Sequence, residues 1–172
     1  MAKLKGIKKL NKAITTELTC FQVQAVLEES FGMYVDDKIV GYALTHSIID
    51  EYFDDFVFKT FGFAVGENDF VISLLHEIGH LQTLKDIEQE TYEKCQEKIE
   101  KIENKLAEDN LTEKKEKNLH FKYFALPTEI VATAWAVAWA RKHPKKYKKM
   151  CENTLTAIKE FYRVNGITKE TA

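Results

Sequence analysis

Two histidines and a glutamate interrupt a stretch that is otherwise built to be buried. Between residues 69 and 84, Val71, Leu74, Leu75, Ile78 and Leu81 recur at the three- and four-residue spacing of a helix. Such a helix must be covered by the rest of the chain. His76 and His80 lie on one face of it, one turn apart. At 100° per residue, Glu77 sits about 60° round the helix from His80, on the flank of the histidine face. The segment 66–68 reads as a loop, with Asn68 or Asp69 as the cap.

Two imidazoles at this spacing can share a metal ion, and a flanking carboxylate can act as base towards a water that zinc acidifies to a pKa of about 7. With five His and 19 Glu in the chain, chance yields about 0.02 matches to His-Glu-x-x-His. The competing account is two core histidines bonded to backbone, with Glu77 reaching solvent. A catalytic zinc (Zn2+) needs a third protein ligand and an open position. The candidates are Glu129, His120, His143, His46, and Glu88 or Glu90. Glu129 is preferred because it opens the most apolar helix of the chain, where an unpaired carboxylate is costly. Ala132, Thr133 and Ala136 beside it are small, and Gly79 offers a matching gap on the motif helix. A glycine there costs about 1 kcal/mol of helix propensity. Glu129 could instead be a first-turn acid favoured by the helix dipole. Tyr123 and His120, just before the Glu129 helix, are candidates for a transition-state helper.

The remaining segments are read by periodicity. Residues 7–30 read as helix, broken once at most, through Leu10, Ile14, Leu18, Phe21 and Ala25, with Phe31-Gly32 as the stop. Residues 33–44 read as a small hairpin or a pair of strands around Asp36-Asp37. Residues 47–61 favour helix, with Ile49, Tyr52, Phe53 and Phe56 on one face. Residues 86–106 are rich in Glu and Lys, with a heptad seam at Tyr92, Cys95, Ile99, Ile102 and Leu106. Asn110-Leu111-Thr112-Glu113 resembles a capping box opening a further helix. Together, 86–122 read as a charged helical hairpin peripheral to the core, either a polar hairpin with no partner or a protein-partner element. A helix starts near Pro127-Thr128, capped by Thr128, and ends at His143-Pro144. A last amphipathic helix ends at Asn165-Gly166.

The run from Leu74 to Leu81, with Leu126-Pro127-Thr128-Glu129-Ile130-Val131-Ala132, resembles the gluzincin branch of the zincin metallopeptidases. It is similar to the ImmA/IrrE-like peptidases of phages and mobile elements. The likeness covers roughly residues 68–140, and only the zinc motif is sharp. It implies a single α+β, mostly α, zincin-like domain over residues 1–172, with a small sheet beside the motif helix. It also implies His76, His80 and Glu129 as metal ligands and Glu77 as catalytic base. Some gluzincins carry an Asp four residues after the ligand Glu; this chain has Thr133 there, a possible outer partner without charge.

Bulk properties narrow the function. A length of 172 residues suits one domain, and a formal charge of −2 argues against a general nucleic-acid binder. Cys20, Cys95 and Cys151 are far apart and form no CxxC pair, which fits reduced thiols. No apolar signal core follows the basic start, and the apolar stretch 130–140 is too short to span a bilayer. The expectation is a cytoplasmic zinc metallopeptidase acting on a protein or peptide substrate, with no nucleic-acid or membrane partner. The alternative is a non-catalytic regulatory or partner-binding protein that retains the zinc site.

Overall fold

The computed structural model describes residues 4–44, 48–65, 69–108 and 110–167, apart from the side chains of 48 and 49. The described elements are helices α1 (Ile7–Glu17), α2 (Ile48–Phe61), α3 (Asp69–Thr83), α4 (Gln89–Leu106), α5 (Glu113–Phe124), α6 (Pro127–Lys142) and α7 (Pro144–Asn165), with a three-stranded sheet of β1 (Gln24–Leu27), β2 (Gly32–Tyr34) and β3 (Ile39–Tyr42). The fold is α+β and mostly α, and the sheet touches the motif helix α3 through β2 and β3. No described helix is long and apolar enough to cross a membrane. All three cysteines are free.

The first expected helix ends earlier than its periodicity implies. A 3-10 turn over Thr19–Phe21 closes on Gln22, whose φ of 57° is left-handed. The chain then extends as β1, pairing parallel with β3, while β2 pairs antiparallel with β3. No glycine or proline marks the break, and Val23 and Val26 favour the strand once β3 is available. The hairpin expected at 33–44 forms around Asp36-Asp37, with β2 beginning one residue earlier, at Gly32.

The two edges of the sheet differ. Along β1, α1 lends side-chain acceptors to the outward amides: Ala25 donates to Thr15 Oγ1 at 2.9 Å and Leu27 to Asn11 Oδ1 at 3.1 Å. The Tyr42 hydroxyl donates to the same Asn11 oxygen at 2.6 Å. Along β2, no described backbone or side chain pairs with the outward edge. Among the described residues, one edge is therefore sealed and the other open.

The core is aromatic on one side of α3 and small on the other. Tyr52, Phe53 and Phe56 of α2 are buried as their spacing predicts, and Phe56 packs on Phe121 and Phe124 of α5. Helix α5 is thus part of the main core rather than peripheral. On its far side, Cys95 and Ile102 of α4 form a small second core with Leu126. Two expected caps move. The α5 cap is Thr112, accepting from the Lys115 amide, while Asn110 takes a left-handed φ of 71° in the turn before it. The α6 cap is Leu126, because Pro127, whose φ is preset for a first helical position, takes N1 and puts Thr128 inside the helix.

The most extensive contact between described elements joins α3 to α6. A Cβ built on Gly79 would stand 2.5 Å from the Ala132 carbonyl oxygen. Backbone therefore meets backbone there, with Ala132, Thr133 and Ala136 fully buried beneath it. Gly79→Ala separates propensity from packing. Propensity alone stabilises the helix by about 1 kcal/mol, whereas forcing the helices apart costs about 1–3 kcal/mol. We expect a net loss of stability in chemical denaturation; a gain would contradict the close approach.

Candidate metal centre

Helices α3 and α6 carry the polar cluster, and their close contact brings it together. His76 Nε2, His80 Nε2 and a carboxylate oxygen of Glu129 converge from two helices 49 residues apart in sequence, counting from His80 to Glu129. The nitrogens are 3.2 Å apart. Glu129 Oε2 lies 3.3 Å from His76 Nε2 and 3.4 Å from His80 Nε2. His76 and Glu129 are buried, and His80 is partly open.

This triangle can be tested against an ion. Tetrahedral bonds of about 2.0–2.1 Å hold ligand atoms about 3.3–3.4 Å apart, close to the three edges of 3.2, 3.3 and 3.4 Å seen here. Two imidazoles with one carboxylate suit zinc and neighbouring transition metals, whereas calcium and magnesium take oxygen ligands. Three donors occupy one face of a tetrahedron and leave the fourth corner free. The residues present fit a metal with an open position.

The electrostatics point the same way. Burial alone would raise the pKa of Glu129, but hydrogen bonds and charge from His76 and His80 outweigh it and bring the group down to about 2. Burial lowers that of His80, yet the Glu129 carboxylate bonded to it and the nearby Glu77 produce a net rise. The site favours a positive charge opposite Glu129, whether proton or metal. Glu77, half-buried, has a pKa raised chiefly by desolvation, with His76 and His80 opposing and Glu129 adding to it.

A cleft of about 260 Å³ opens beside the triad, lined by Glu77, Tyr123 and Phe124, by Phe31 and Gly32 at β2, and by Asp50 and Phe53 of α2. The Phe53 ring meets His76 edge-on at 5.1 Å between centroids. The Tyr123 hydroxyl has its pKa raised by burial first and by the Glu129 and Glu77 charges next, so it stays protonated. Thr133 Oγ1 stands 2.9 Å from His76 Nδ1.

Other sequence candidates lie elsewhere. His120 is buried between Tyr52 and Phe124 and is not among the cleft-lining residues. His143 stands at the opposite end of α6 from Glu129, against Trp139. Glu88 and Glu90 are exposed at the start of α4, where Glu90 pairs with Lys94. His46 lies outside the described residues. Sequence reasoning missed Asp50, Phe31, Gly32 and Ser73 as cleft residues. Only the hairpin pattern could have hinted at Gly32, since contact with α3 is tertiary. No family model, curated protein or solved structure matches the chain.

Purified protein should retain about one equivalent of metal per chain, the number one three-donor set can hold. Glu129→Ala should weaken metal binding more than about tenfold, the least that losing even an outer partner typically costs. Because the proton on His80 competes with the metal and its pKa is raised, retention should fall as pH drops through and just above the usual histidine range. Equal metal content in wild type and Glu129→Ala, by elemental analysis, would remove Glu129 from the ligand set.

Proposed function

We propose that this protein is a zinc-dependent peptidase that hydrolyses peptide bonds of a protein or peptide substrate. The observation that carries the reading is the donor triangle at tetrahedral edge spacing with a non-ligand carboxylate, Glu77, beside it in an open cleft. Zinc held there supplies a Lewis acid and a water of lowered pKa.

The chain's own residues supply the rest. Glu77 is the proton acceptor: desolvation raises its pKa, which moves a carboxylate towards the range in which a general base works best. It can pass that proton on to the leaving amine from the same position. Tyr123 is a hydrogen-bond donor to the oxygen on which charge develops, because its hydroxyl remains protonated in the cleft wall. Among the described residues the edge of β2 next to the cleft has no partner, and such an edge is the surface on which an extended peptide adds as a further strand. Phe31, Phe53 and Phe124 give the cleft apolar walls that limit water around the reacting centre.

The likeness of the motif segments to gluzincin and ImmA/IrrE-like peptidases agrees with this reading. An open three-ligand set with an adjacent base also differs from the closed, Cys-rich arrangement of structural zinc sites. A general base contributes about 10²–10⁴-fold, so Glu77→Gln should lose most cleavage of an unfolded protein substrate. It should keep its zinc and melting temperature, since Gln preserves the shape and both histidines are untouched. Loss of zinc from Glu77→Gln would make Glu77 a ligand. Absence of zinc-dependent cleavage by wild type across a broad peptide library would favour a partner-binding role that retains the metal.

A further inference from the structure

The geometry points to Thr133 as the positioning residue of the metal centre: one hydroxyl ties the His76 ring of α3 to the peptide carbonyl of Glu129 in α6. This rests on the metal-binding part of the reading above and is independent of peptide hydrolysis.

Thr133 is fully buried, one helical turn after Glu129. Its hydroxyl donates to the Glu129 backbone carbonyl at 2.9 Å, the back-bond to position i−4 that threonine adopts in helices. A carbonyl can only accept, so the single hydroxyl proton is committed there. The lone pairs of Oγ1 face His76 Nδ1 at 2.9 Å and accept its proton. Neutral His76 then carries its hydrogen on Nδ1 and presents a bare Nε2 towards Glu129 Oε2, 3.3 Å away. Two lone pairs facing each other at that distance repel unless a positive charge, a ring proton or a metal ion, stands between them. For the neutral ring, the hydroxyl thus selects the tautomer that presents Nε2 to a metal ion.

Two further features make the tie specific. His76 is buried, so water has little access to replace the hydroxyl. Phe53 meets the ring edge-on, which together with the Nδ1 bond restricts its rotation. A ligand histidine held by its outer nitrogen keeps its orientation through metal exchange. The partner here is neutral, so the ring gains orientation without the extra negative charge of a carboxylate.

The test measures zinc affinity by competition with a chromophoric chelator, for wild type, Thr133→Val and Thr133→Ser. Loss of such an outer partner typically weakens metal binding about 10–100-fold. Thr133→Val, which keeps the shape and loses the hydroxyl, should show that loss, and Thr133→Ser should restore affinity close to wild type. In the zinc-loaded wild type, the His76 Nδ1 proton should appear by NMR as a slowly exchanging signal with a cross-peak to the Thr133 methyl group. Thr133→Val binding zinc as tightly as wild type, or Thr133→Ser binding as weakly as Thr133→Val, would overturn the proposal. Should Thr133→Val not fold, the Ser variant and the wild-type signal decide, and a fast-exchanging Nδ1 proton would count against it. A wild type that binds no zinc would instead defeat the metal reading itself.

Discussion

Where α3 crosses α6 there is no side chain between the two backbones. The missing Cβ of Gly79 leaves room for the Ala132 carbonyl, and the neighbouring small residues let the helices stay in contact along their length. Everything at the candidate centre follows from that proximity. Neither helix holds three metal donors: α3 supplies His76 and His80, and α6 supplies Glu129. A separation larger by a side-chain diameter would open the donor triangle beyond the reach of one small ion. A mid-helix glycine, unfavourable for the isolated helix, is what the pair needs.

The same contact creates an electrostatic problem that a cation resolves. Glu129 is buried in the first turn of a helix whose inward face is alanine, threonine and valine. An isolated carboxylate there would be neutralised or expelled. Instead its pKa is depressed, because two imidazoles face it and supply positive charge or donated protons. Opposite them, the cleft is walled by aromatic rings and carries Glu77 and Tyr123, two groups whose pKa values burial raises, keeping the phenol a donor and making the carboxylate a stronger base. The sheet completes the arrangement, with α1 closing its β1 edge and β2, among the described residues, open beside the cleft.

Much of the candidate site was legible because its signals are local or anomalous. The i, i+4 histidines define a face without tertiary information, and a carboxylate in an apolar helix is conspicuous wherever it occurs. Gly79 paired with Ala132 and Ala136 was readable for a similar reason: small residues on two buried helices imply close approach. The misreadings came from competition between local signals and tertiary context. Strand β1 looked helical because Phe21 and Ala25 extend the spacing of α1, yet Gln22 turns left-handed without a glycine to announce it. Thr128 has the chemistry of a cap, but Pro127 takes the first helical position and moves the cap to Leu126. His120 had the right residue type near the right helix, but its face of α5 meets α2 rather than the cleft. Asp50 and Phe31 enter the cleft from distant segments, and no spacing rule connects them to α3.

In the function proposed for this protein, one zinc ion is held by two imidazole nitrogens from α3 and one carboxylate oxygen from α6. X-ray absorption spectroscopy at the zinc edge of the metal-loaded protein tests it most directly. The expected first shell holds nitrogen and oxygen only, at about 2.0–2.1 Å and close to four-coordinate, with the outer scattering of two histidine rings. A sulfur ligand at about 2.3 Å, or a shell containing a single imidazole, would contradict it.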